Sequence, residues 1–88
     1  MNTSAEALRL LGQALADTHQ ASAIIDDLIA PHEYQDAAML VARASALMLE
    51  STMRLLESNP DDALAALESA DDLLDALYDV IDGEMDED

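Results

Sequence analysis

The side chains of this chain that could do chemistry are almost all carboxylates. Twenty Asp and Glu residues stand against three arginines and two histidines, without cysteine, and the formal net charge is −17. His19 and His32 have no nucleophile motif beside them and lack the Glu-x-x-His spacing of a di-iron helical bundle. The acid pairs at 26–27, 61–62 and 71–72 lack the alternating ligands and central glycine of an EF-hand loop. We therefore expect no enzyme activity, no catalytic residue, no dedicated metal site and no cofactor.

The acidic residues are concentrated in the last third of the chain. Residues 57–88 hold thirteen acids and neither Lys nor Arg, whereas residues 1–56 carry a net charge of only −4. Like charges three or four residues apart each destabilise a helix by about a few tenths of a kcal/mol, and Asp is a poor interior helix former. Six of these acids nevertheless recur at intervals of 7, 4, 3, 4 and 3, along one helix face: Asp61, Glu68, Asp72, Asp75, Asp79 and Asp82. A stripe that disfavours its own helix indicates a role in binding a partner.

Start and stop signals divide the chain into three helical segments. Thr3 and Glu6 form a capping-box pattern before the first segment, and Pro31 ends it. Asn59 followed by Pro60 begins the third segment, and Gly83 is its expected stop. The predicted helices span about residues 3–30, 32–58 and 60–82.

These segments predict an all-α fold. No alternating or β-branched run indicates a strand, and short connections favour an antiparallel three-helix bundle. We expect one domain over residues 1–83, followed by a disordered acidic tail at residues 84–88. The second helix is apolar nearly all round, which predicts that it lies between its neighbours or forms a subunit interface.

The apolar residues predict which helix faces are buried. In the first helix the stripe comprises Leu8, Leu11, Leu15, Ile25, Leu28 and Ile29. In the third helix the predicted buried face comprises Leu64, Leu67, Ala70, Leu74, Leu77 and Ile81. Along the second helix, Val41, Met48 and Leu55 lie seven residues apart with small residues between them, and Tyr34 continues the stripe. We expect these three residues to support self-association, so a homodimer through helix two is one form of the protein.

The charge also limits the choice of partner. A chain at −17 repels nucleic-acid phosphates and anionic membrane surfaces, and it attracts basic protein surfaces. A merely solvated face and adaptation to high salt are the alternatives, although the one-sided charge distribution counts against the second. Residues 1–6 lack the features of a signal peptide, and no apolar run is long enough to cross a bilayer. We expect a cytoplasmic protein that binds a basic protein surface and contacts neither nucleic acid nor membrane.

In size, helicity and acidity the chain resembles the acidic DNA-mimic and anti-defence inhibitors of phages and mobile elements, including anti-CRISPR and anti-restriction proteins. No sequence motif carries this resemblance. It implies that a helical row of carboxylates occupies a basic channel of a nucleic-acid-binding complex. The expected contact residues are Asp61, Glu68, Asp71, Asp72, Asp75, Asp79 and Asp82, with Tyr78 as an anchor among them. Tyr78 is otherwise an amphipathic residue at the border of the apolar face.

A second class of function is a helical adaptor or chaperone-like module. In that case the apolar surface of helix two binds a partner, and the acids only keep the protein soluble.

Overall fold

The computed structural model describes the backbone of residues 3–30 and 32–85, and the side chains of these ranges as far as residue 83. Within these ranges the chain forms three α-helices and no strand. They are α1 (Ser4–Asp26), α2 (Gln35–Leu56) and α3 (Pro60–Met85). The all-α prediction is confirmed.

Helix α1 begins as expected but ends earlier. The Thr3 hydroxyl accepts a hydrogen bond from the Glu6 amide at 3.1 Å, which is the expected N-cap. The helix ends at Asp26, so the prediction that it continues to residue 30 is wrong. The Gln35 side-chain amide donates to the carbonyl of Ile25 at 2.8 Å. In a longer helix this carbonyl would accept from the backbone N–H four residues later, so the Gln35 side chain replaces that donor. Pro31, the expected stop, lies outside the described residues.

Helix α2 spans a shorter range than the predicted 32–58. The His32 ring accepts a hydrogen bond from the amide of Tyr34, which precedes the helix. At the other end, Ser58 has a left-handed φ of 61°. The amides of Ser58 and Asn59 donate back to the carbonyls of Leu55 and Arg54 at 3.0 and 2.8 Å. This is a Schellman motif, and it ends the helix by turning the chain.

Helix α3 begins where the sequence predicts and continues beyond its predicted end. The Asp62 amide donates to the Asn59 side chain, and the Asn59 side-chain amide donates to the Asp62 carboxylate at 2.7 Å. The helix passes through Gly83 to Met85, so Gly83 is not its stop. Glycine permits a left-handed turn without imposing one, and Gly83 does not have a positive φ. Residues 84 and 85 of the predicted disordered tail are therefore helical, and residues 86–88 lie outside the described ranges.

Helix α2 contacts both α1 and α3, whereas α1 and α3 do not contact each other in the described part of the chain. Two contacts show where the neighbours lie. The Ser51 hydroxyl donates to the carbonyl of Ala63 in α3, and the Met53 side chain lies beside Gly12 of α1. Residues 51 and 53 are about 200° apart around a helix, so the neighbours lie on nearly opposite sides of α2. This confirms that α2 lies between the other helices, and it leaves the two remaining sides of α2 open.

The interior is built mainly from alanine. The buried residues of the described ranges are Ala37, Ala44, Ala46, Ser51, Ala63, Ala66, Ala70 and Leu77. The apolar pattern predicts Leu64 and Leu67 in the core of α3, but they are 56% and 43% exposed. Alanines one position earlier face α2 and let the two backbones approach closely, which turns both leucines outward.

Helix α1 is the least buried of the three. None of its residues is buried; Leu8, Leu11, Leu15 and Ile25 are half-buried. Leu28 and Ile29 follow the helix end and are exposed, so their predicted place in the core stripe is wrong.

Candidate protein-interaction surface

The acidic residues predicted to form a stripe do share one face of α3. We call this set the acidic ridge: Asp61, Glu68, Asp72, Asp75, Asp79 and Asp82. All six are exposed. The ridge is centred about 160° around the helix from the buried strip of Ala63, Ala70 and Leu77. It therefore points away from α2.

No cation of the described chain neutralises these carboxylates. Helix α3 contains no Lys or Arg. Both ion pairs of the described residues belong to Arg54, which lies 2.7 Å from Glu57 and 3.5 Å from Glu50. The hydrogen bond and the charge of Glu57 raise the pKa of Arg54 above its ordinary value. The negative charge of α3 is thus not compensated by an ion pair within the described residues.

A second strip of α3 combines acidic and apolar side chains. We call it the mixed strip: Leu64, Leu67, Asp71, Asp75, Tyr78 and Asp82. Its members are three or four residues apart, so they line one helix face. The strip shares Asp75 and Asp82 with the acidic ridge and lies on the side of the ridge nearer to α2. Tyr78 is 63% exposed and lies among the carboxylates of this strip. The apolar periodicity predicts Leu64 and Leu67 in the core, and for that reason it does not predict them in a binding surface. The sequence signal for the outward orientation of the two leucines is Ala63, Ala66 and Ala70. These small residues lie three or four apart and allow α3 to approach α2 closely.

Helix α2, together with Tyr34 just before it, presents an exposed seam without a charged residue. We call it the α2 seam: Tyr34, Ala38, Val41, Ser45, Met48, Thr52 and Leu55. Val41, Met48 and Leu55, the predicted self-association residues, are 46%, 40% and 57% exposed. The Thr52 hydroxyl donates to the Met48 carbonyl at 3.0 Å, which satisfies its donor within the helix. The structure thus places these three residues together on an open surface and leaves them without a partner in the described chain.

Two shallow cavities lie on the side of the molecule opposite the α2 seam. One, of about 350 Å³, is lined by residues of all three helices, among them His19, Arg43 and Leu73. The other, of about 360 Å³, is lined by residues of α2 and α3, among them Arg54 and Ser69.

The cavities fix the side on which the α2 seam and the mixed strip lie. On α2 the seam is about 180° from the cavity-lining residues. On α3 the mixed strip lies across the buried strip from those residues. The α2 seam and the mixed strip therefore adjoin on one side of the molecule.

Comparisons of the chain with protein-family models, with curated proteins and with solved structures find no match. No described helix combines the length and the apolar character needed to cross a membrane. Within the described ranges, no three histidine or carboxylate side chains come together in a group that could hold a metal ion.

Proposed function

We propose that this chain is a small acidic inhibitor that binds a basic protein surface through the carboxylates of α3. The target surface is one that a nucleic-acid-binding complex uses for nucleic acid, as in DNA mimicry. The observation that carries the proposal is the acidic ridge, whose six exposed carboxylates have no cationic partner in the described chain. A cytoplasmic location, which the composition favours, belongs to the same proposal.

The spacing of the ridge supports this function. Successive carboxylates three or four residues apart are separated by about 5 Å along the helix axis. One strand of B-DNA carries a phosphate for about every 3.4 Å of its axis, so the two charge densities are comparable. A rigid helix holds this row in place and therefore loses little conformational entropy when it binds.

An antiparallel order of the three helices is part of the proposal, and contacts at their ends support it. Gly12 in the first half of α1 lies beside Met53 near the end of α2, and Gln35 at the start of α2 bonds to Ile25 at the end of α1. Ser51 near the end of α2 bonds to Ala63 in the first turn of α3. In this arrangement the ridge lies at one edge of the bundle, accessible along its whole length.

A helical adaptor is the second candidate function, and the exposure of the α2 seam favours it. Met48 lies at the centre of an uncharged surface that the described chain leaves open. A partner helix or a second copy of the chain could cover it, the latter giving the homodimer through α2.

The acidic inhibitor is tested by affinity capture with two matched variants. Wild-type protein is immobilised, exposed to cell lysate at low salt and eluted with duplex DNA. We expect the eluate to contain nucleic-acid-binding proteins and a wash at about 0.5 M salt to remove them, since screening weakens charge attraction. The variant Asp72→Lys/Asp79→Lys reverses two ridge charges and should retain little of this set.

The control variant Glu6→Lys/Asp26→Lys makes the same change in net charge at exposed positions of α1. It should retain most of the captured set if the position of the charges matters. Equal loss with both variants, or a captured set that DNA does not displace, would contradict the inhibitor function. Capture that persists at high salt would favour the adaptor.

A further inference from the structure

The structure also points to the chemistry of the partner. We infer that the α2 seam and the mixed strip form one docking surface for a cationic amphipathic helix. The inference rests on the proposed function, since it keeps a basic protein as the partner. It extends the contact from the acidic ridge, through the shared residues Asp75 and Asp82, to the side of the molecule where apolar and acidic residues adjoin.

The amount of exposed surface is the first argument. The accessible surface of the chain is 6200 Å², whereas a compact monomer of 9.4 kDa exposes about 5000 Å². The Cα radius of gyration is 15.3 Å, against about 12 Å for a compact chain of 88 residues. A stable interface takes about 800 Å² from each partner, so the excess surface is large enough for one.

The repeat of the α2 seam is the second argument. Its residues alternate at spacings of four and three from Tyr34 to Leu55, which is the heptad repeat of a helix that packs along a second helix. Large and small side chains alternate, and a partner's side chains fit into the spaces over Ala38, Ser45 and Thr52. Because the Thr52 hydroxyl is already hydrogen-bonded, a partner can cover it without leaving a donor unpaired.

Charge selects the kind of helix. Asp71, Asp75 and Asp82 flank the surface along the mixed strip and have no ion pair in the described chain. A helix with apolar residues on one side and Arg or Lys at its flanks would contact the seam and reach these carboxylates. A second copy of the chain also has a net charge of −17 and would be repelled by these carboxylates. The negative electrostatic field of the surface therefore favours a basic partner over a homodimer.

The test uses three synthetic peptides of about three heptads each. The first has Leu at the core positions and Arg or Lys at the flanks. The second has the same composition in scrambled order, and the third keeps the Leu pattern with Glu at the flanks. Fluorescence anisotropy gives the dissociation constants for the full chain. We expect the first peptide to bind at least about tenfold more tightly than the scrambled one, because only it presents an apolar stripe. The acidic peptide should show no binding.

Two sets of variants separate apolar from acidic contributions. Met48→Glu and, independently, Leu55→Glu add a charge that attracts the basic peptide, yet each should weaken binding about tenfold by disrupting the apolar contact. The variant Asp71→Asn/Asp75→Asn/Asp82→Asn should weaken binding about tenfold. The variant Glu68→Gln/Asp72→Asn/Asp79→Asn removes the same charge from the same helix and should change the affinity less than about threefold. Circular dichroism checks that each variant keeps its helices.

The outcomes distinguish this inference from the proposed function. Equal peptide binding by Met48→Glu, Leu55→Glu and wild type would overturn the docking surface, as would equal effects of the two carboxylate variants. A dominant effect of Glu68, Asp72 and Asp79 would overturn it while leaving the acidic-ridge inhibitor in place. A dimer in light scattering that Met48→Glu converts to a monomer would overturn it in favour of a second copy. Failure of the DNA-displaced capture alone would count against the proposed function.

Discussion

The Ser51 hydroxyl of α2 donates a hydrogen bond of 3.0 Å to the carbonyl of Ala63 in the first turn of α3. Ser51 is 3% exposed and is the one buried polar residue of the described chain. Its bond fixes the register between the two helices that carry the candidate surface.

Replacing Ser51 with Ala should therefore lower the free energy of unfolding by about 0.5–1.5 kcal/mol, because a buried hydrogen bond is lost. Urea unfolding followed by circular dichroism measures the change. The control is Ser45→Ala, which removes an exposed hydroxyl from the same helix and should change stability by less than about 0.5 kcal/mol. Equal effects of the two substitutions would show that the Ser51 bond does not stabilise the packing.

The close approach of α2 to α3 depends on alanine. Ala44 is 1% exposed and lies seven residues before Ser51, on the face of α2 that meets α3. A leucine there would push the helices apart or take an unfavourable rotamer. We expect Ala44→Leu to cost about 1–3 kcal/mol. The same substitution at exposed Ala38 should cost little, since leucine is a good helix former. Unfolding midpoints in urea compare the two, and a tolerated leucine at 44 would contradict the alanine contact.

The left-handed residue between α2 and α3 offers a stabilising change. Ser58 has a φ of 61°, a conformation that costs an ordinary side chain about 1–2 kcal/mol and costs glycine almost nothing. The greater freedom of glycine in the unfolded chain offsets part of the gain, so Ser58→Gly should raise stability by about 0.5–1 kcal/mol. Ser69→Gly, in the middle of α3, should act in the opposite direction by about 0.5 kcal/mol. Thermal unfolding that ranks these variants in reverse would refute the left-handed cap.

Salt should stabilise the isolated protein. Repulsion along α3 involves the acid pairs three or four residues apart: Glu68 with Asp71 and Asp72, Asp71 and Asp72 with Asp75, Asp75 with Asp79, and Asp79 with Asp82. Each pair costs about 0.2–0.5 kcal/mol at low ionic strength, so screening should recover about 1–3 kcal/mol in total. Urea midpoints between about 0.05 and 0.5 M sodium chloride measure the gain.

The variant Glu68→Gln/Asp72→Asn/Asp79→Asn provides the control for this effect. It has fewer repelling pairs, so its stability should rise less with salt than that of wild type. An identical gain in both proteins would show that the salt effect does not arise from the carboxylates of α3.

Composition and periodicity predict the three helices and the shared face of the acids, because both depend on residues close together in the chain. The orientation of the apolar residues is less predictable. Leu64 and Leu67 fit a buried stripe as well as Ala63 and Ala66 do, and the choice depends on how closely α3 approaches α2. The early end of α1 likewise depends on a tertiary contact, the bond from Gln35 to the Ile25 carbonyl. The mixed strip depends on this packing and could not be predicted from local patterns.

The limited burial of α1 has a consequence for local unfolding. This helix contacts only α2 within the described residues and buries no side chain completely, whereas α2 and α3 share the alanine interface. Segments with few buried contacts open at a lower free energy than the rest of a protein. In native-state hydrogen exchange we expect the amides of α1 to exchange first, as one cooperative unit, while α2 and α3 remain protected together. The elements that carry the candidate surface would then form the most persistent part of the molecule.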